Sequence, residues 1–203
     1  MPSDRFFRLR EEKKREIISA AETEFSNNRY ENISISRIIK MAGISHGSFY
    51  TYFEGKEDLR QYLAERISVE LLSWFFNELE QCDGNICDTA LYAVARIVKL
   101  DKESKAFCTV KNTILDISWT GRAEDMVGFR NADLQVEFER FAKVCYERTD
   151  LKSVNVIDEA GFTNIVELLL MIIMKSAVQY VTGYMDGIKI LMNAERQIQL
   201  LRA

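Results

Sequence analysis

The stretch SHGSFYTYFEGK, residues 45–56, brings together hydroxyls, two tyrosines, a lysine and the only histidine of the chain, His46. A lone imidazole can serve as a general base, a metal ligand, a core residue or a contact to a partner. Ser45 and Ser48 lie close to it, yet no nucleophile–carboxylate set surrounds it, which argues against acyl-transfer chemistry. Cys82, Cys87, Cys108 and Cys145 form no C-x-x-C pair, and His46 is far from all four. No zinc set of ordinary spacing can therefore be written, and no metal and no cofactor are expected. What remains is contact: short donors and small residues suit base edges and phosphates, which demand close approach.

Such residues need elements to aim them. In EEKKREIISAAETEFSNN, residues 11–28, Ile17, Ile18, Ala21 and Phe25 recur at helical spacing. Ser34 is placed to cap a second helix, ISRIIKMA, with Ile35, Ile38, Ile39 and Ala42 as its apolar face. Gly43 follows at the position where positive φ is cheap. Ser45 can cap a third helix, HGSFYTYF, in which Phe49 and Phe53 turn inward against Ile38 and Leu59. Two short helices joined through AGIS form a unit of the helix-turn-helix type. In such a unit the N-terminal residues of the second helix enter the DNA major groove.

At this point the chain resembles a known family. The segment IISAAETEF, then ISISRIIKMAGISHGSFYTYFEGKEDL, is similar to the N-terminal domain of TetR-type transcriptional regulators over about residues 13–63. The resemblance implies that Ser34 caps its helix and touches phosphate, with Ser36 and Arg37 at the groove edge. Many relatives carry a basic residue near Ser36, so base reading from that helix shifts toward Arg37. Ser45, His46, Gly47 and Ser48 are implied as the reading surface, with Thr51 facing out beside them. Tyr50 and Tyr52 would bond phosphates and Lys56 would clamp one more. The family further implies a homodimer through the last two helices. It implies a small-molecule pocket in the C-terminal domain, whose occupation moves the helix at 56–81 and respaces the two reading heads.

The rest of the chain carries no nameable motif, but its composition bounds it. With 203 residues, 47% hydrophobic and 29% charged, it can bury a sizeable core. One proline and nine glycines favour an all-α fold over a sandwich. The expected domains are a helix-turn-helix domain at 1–54 and a larger ligand-binding and dimerisation domain at 55–203. Residues 1–53 hold nine Lys/Arg against seven Asp/Glu, so the remainder carries the net acidity of the chain. That asymmetry permits a polyanionic partner for the N-terminal part. Arg5 to Arg15 can be an arm that adds phosphate contacts or a solvated, frayed start, since Glu11, Glu12 and Glu16 interleave.

Helices are expected at about 56–81, 86–100 and 103–119, then at ADLQVEFERFAKVCYERT, DEAGFTNIVELLLMIIMKSAVQYVTGY and DGIKILMNAERQIQLLRA. LLLMIIM, residues 168–174, is shorter than the roughly 20 residues of a membrane span and reads as a buried face. Its helix is too apolar for a single covered side, so part of it must be covered by a partner or a core. Phe107, Trp119, Phe138, Tyr146, Met171 and Met174 are candidates for a ligand pocket, although each alone is more often plain core. The charged N-terminus lacks the apolar run of a signal peptide, so a cytoplasmic protein with reduced cysteines and no membrane is expected. The expected function is a ligand-responsive operator-binding repressor. Its rivals are an all-α enzyme, for which no residue set speaks, and a helical adaptor that kept the small domain without its DNA role.

Overall fold

The computed structural model describes residues 2–105, 107, 108, 111, 112 and 132–203. Helices α1 (Asp4–Phe7), α2 (Glu11–Asn27), α3 (Ile35–Ala42), α4 (His46–Tyr52) and α5 (Lys56–Gln81) come first. They are followed by α6 (Ile86–Val98), α7 (Ala132–Arg148), α8 (Glu159–Val181) and α9 (Gly187–Gln199). Single 3-10 turns lie at Tyr30–Asn32 and Leu151–Ser153. Among the described residues there is no strand, and an isolated bridge joins Val154 to Arg202. The fold is all-α, with an N-terminal helix-turn-helix and a larger helical C-terminal part.

The helices start where the sequence supplies caps. Ser34, Ser45, Asn85, Asp158 and Asp186 each stand at an N-cap and accept a backbone N–H from the first turn. Helix α3 ends on Gly43 at φ +58°, and the Ile44 amide reaches back to the Ile39 carbonyl.

The chain divides into two compact units. One comprises Met1–Leu72 with Lys102–Asp116, the other Ser73–Asp101 with Ile117–Ala203. The division falls within α5, later than its start at Lys56. The first unit is built on a core of Phe6, Ile17, Ala21, Ile38, Ala42, Phe49, Phe53 and Leu59, all nearly inaccessible. It also draws in a segment distant in sequence. The Asn112 side-chain amide donates to the carbonyls of Phe25, Ser26 and Asn28, at 3.2, 2.9 and 3.3 Å. These carbonyls belong to the end of α2 and the residue beyond it, where a helix leaves acceptors unsatisfied. Lys105 donates to Thr23 Oγ1 at 2.9 Å on the same helix.

In the second unit α8 packs against α6, α7 and α9. Phe162, Ile165, Val166 and Leu169 of α8 are buried, whereas Leu168, Met171 and Met174 are exposed. LLLMIIM is therefore covered on one side and open on the other. By length and composition α8 could cross a membrane, but its buried side is part of the unit's core.

Candidate nucleic-acid interface

The core of the first unit fixes α4 by two rings. Phe49 and Phe53, one turn apart, are buried with their centroids 5.6 Å apart. Pinning those two positions leaves the rest of this short helix turned outward. Ser45, His46, Gly47 and Tyr50 are exposed, and Ser48, Thr51 and Tyr52 are partly covered. The first turn of α4 is closed by its own cap: Ser45 Oγ accepts the Ser48 amide at 3.0 Å and bonds Ser48 Oγ at 2.8 Å. Ser45→Ala should lower the stability of the unit by about 1 kcal/mol, read as a shift in thermal unfolding. A Cβ at Gly47 would make only an ordinary contact, with Ser45 Oγ at 3.9 Å.

The structure assembles the sequence candidates unequally. Ser36, exposed in the first turn of α3, and the His46 turn present free surface. Thr51 Oγ1 donates to the Gly47 carbonyl at 2.8 Å within its own helix. Tyr50 is 57% exposed. The Tyr52 ring lies 6.2 Å from Phe6 and shares its packing. Lys56 Nζ donates to the Tyr30 carbonyl at 3.2 Å and sits 4.5 Å above the Tyr30 ring. Arg60 stacks on the same ring at 4.9 Å. Burial, with a bond to Glu57, pushes the Tyr30 phenol up to about 12, so it stays protonated.

Arg37 is held most firmly. Its Nε donates to Glu24 at 2.9 and 3.0 Å, and its Nη2 to Glu24 Oε1 at 2.5 Å and to the Asn32 carbonyl at 2.6 Å. Glu24 is 3% exposed and also accepts the Ser34 amide at 2.9 Å. Burial pushes the Glu24 carboxyl up. The Arg37 bonds, the Ser34 amide and the Arg37 charge together outweigh that and hold it below the usual carboxylate range. A buried glutamate on α2 thus anchors the N-terminus of α3. The signal for it was present, because Glu24 falls seven residues after Ile17 on the apolar stripe of its helix.

The five described pocket candidates are divided between the two units. Phe107 is buried and belongs to the first unit. Phe138 and Tyr146, on α7, pack on the core of the second, with Tyr146 edge-on to Phe162 at 5.4 Å. Met171 and Met174 lie on the open side of α8. Trp119 lies outside the described residues. The second unit does contain a cleft of about 520 Å³ lined by Phe76, Leu79, Glu80, Asp83, Glu147 and Arg148, among others, and by none of the six.

Known proteins agree with this geometry. Residues 17–63 match the model of the family described as "Bacterial regulatory proteins, tetR family". No curated protein matches the chain. Among solved structures, a TetR family transcriptional regulator from Chloroflexus aurantiacus J-10-fl is 23% identical over 100% of this chain and 99% of that one, with a TM-score of 0.50. E. coli NemR in its reduced form is 15% identical over 94% and 98%, with a TM-score of 0.59. These likenesses establish a shared fold along nearly the whole length. Residues 17–63 are thus similar to the tetR family of bacterial regulatory proteins, and the whole chain shares the fold of solved transcriptional regulators of that family.

Proposed function

We propose that this regulator is a cytoplasmic, dimeric repressor that leaves its operator when a small molecule binds the C-terminal unit. The observation that carries the reading is the first turn of α4, exposed at Ser45, His46 and Gly47 on a helix locked by Phe49 and Phe53. These residues with Ser48 read base edges in the major groove, and Tyr50 and Tyr52 bond the flanking phosphates. Ser34 and Ser36 lie at the groove edge. Arg37 and Thr51 serve by holding the frame, and Lys56 reaches a phosphate by leaving the Tyr30 carbonyl.

A homodimer through α8 and α9 is supported by the apolar side chains they leave open, Leu168, Met171 and Met174 on one and Ile188 and Met192 on the other. A twofold dimer presents two reading heads to two half-sites. Release requires a ligand that prefers the conformer whose heads do not fit the operator.

The test is selection of binding sites from a random duplex pool, followed by gel shifts. His46→Ala and Ser48→Ala should each change the selected sequence or cut discrimination against a shuffled duplex by roughly tenfold. Tyr50→Phe should weaken binding to all duplexes alike. If all three variants bind and select as the parent does, α4 is not the reading helix. A folded dimer that binds no duplex would instead point to the adaptor reading.

A further inference from the structure

The sequence left residues 5–15 open between a phosphate-contacting arm and a frayed start, and the structure removes the second option. Ser3 Oγ donates to the Thr51 carbonyl at 2.6 Å, and the Ser3 amide donates to the Tyr52 carbonyl at 2.9 Å. Helix α4 ends on an extended Phe53 without a glycine cap. Ser3 therefore supplies donors to carbonyls that its last turn leaves without helical partners. Phe6 is fully buried, with its centroid 4.9 Å from Phe53 and 5.4 Å from Tyr62. Burial of such a ring holds the segment against fraying. Lys14 Nζ donates to the Phe7 carbonyl at 3.3 Å and closes the far end of α1.

The arm so anchored is unevenly charged. Phe6 and Leu9, three apart, face the core. Arg5 and Arg8, also three apart, share a neighbouring face, and Arg10 follows; all three are exposed. Among the described residues none of the three pairs with a carboxylate, whereas Glu11 and Glu16 are paired with Lys14 and Lys13. Asp4 is the one acid within α1. Building on the DNA-binding reading above, we infer that residues 3–10 form a second nucleic-acid contact, in which Arg5, Arg8 and Arg10 bind backbone phosphates beside the groove entered by α4. The contact is sequence-independent: it adds affinity and a counterion-release contribution, and the His46 turn keeps the choice of site.

The experiment compares the full-length protein with R5Q/R8Q/R10Q on two duplexes of about 30 base pairs. One is a site selected by the parent from a random pool, the other its shuffled counterpart. Affinity is measured across a salt series. The slope of log K against log salt should fall in magnitude by about 2 or more per dimer on both duplexes, since each phosphate contact contributes about 0.9. The selected sequence should not change. R140Q/K143Q/K152Q, which removes three exposed charges from the second unit, should leave the slope in place. A fall smaller than this on either duplex, or an equal fall in the control, overturns the arm. A parent protein that binds neither duplex overturns the DNA-binding reading on which the arm rests.

Discussion

Glu24→Ala should destabilise the N-terminal unit by about 2–3 kcal/mol and loosen α3 from its first turn onward. The carboxylate is almost fully buried and serves the Ser34 amide and the Nε and Nη2 donors of Arg37. Alanine leaves the Ser34 amide without its acceptor at a helix start, and leaves a void where the carboxylate lay. Thermal unfolding and amide exchange over Ile35–Ala42 read the two effects. A variant with parental exchange in that helix would remove Glu24 from the frame.

The pair also makes a pH prediction of definite sign. In the folded chain Glu24 titrates below its ordinary range of about 4.3. The folded state then binds fewer protons than the unfolded one. Its contribution is present above that range and is lost as pH falls through the folded value. Arg37→Met removes the countercharge and leaves burial, the largest single influence on the group, to act. Glu24 then takes up its proton more readily than in the parent, so the variant should lose less stability than the parent as pH falls from about 7 to 4. Unfolding midpoints over that range read the two slopes; parallel slopes would contradict the pairing.

Gly84→Ala should cost the C-terminal unit about 3 kcal/mol or more. Gly84 stands at φ +78° after Asp83 at φ +52°, two successive left-handed residues that stop α5 and turn the chain into α6. A Cβ there would lie 2.8 Å from the Asp150 nitrogen and 3.0 Å from the Arg148 carbonyl oxygen. Both are backbone atoms, and the Asp150 amide already donates to the Gly84 carbonyl at 2.9 Å. Alanine thus meets the left-handed penalty of about 1 kcal/mol, a clash with main chain, and the loss of a bond that ties two turns together. Gly43→Ala is the control. It has a similar φ of +58°, but its nearest neighbour is the Lys13 ammonium at 3.9 Å, the end of a flexible side chain. Only the conformational cost of about 1 kcal/mol applies there. Denaturant midpoints followed by helical circular dichroism should separate the two variants; equal losses would show that the Gly84 contact yields.

The helix-turn-helix pair was legible because its determinants are local. Ser34 and Ser45 mark helix starts, Gly43 marks a stop, and Phe49 with Phe53 define an inner face, all within 20 residues of one another. Each of these acts through φ/ψ preference or helical spacing, which a sequence states directly. The helices at 86–98, 132–148, 159–181 and 187–199 were legible from apolar patterning alone, and not from their caps. Of the helix expected at about 103–119, most lies outside the described residues.

What a side chain bonds is another matter. Arg37 and Lys56 are basic residues beside a DNA-reading motif, and composition alone makes both look free to meet phosphate. The fold brings Glu24 to one and the Tyr30 carbonyl and ring to the other, across 13 and 26 residues. In the same way Asn112 finds the end of α2 over more than 80 residues, and Ser3 finds the end of α4 over 48. Sequence by itself determined which helices form, where they cap, and which face of α4 turns outward, because those are properties of neighbours along the chain. Only the tertiary structure decided which charges are already spent and which remain exposed, because an ion pair or a capped carbonyl depends on what folding places within 3 Å.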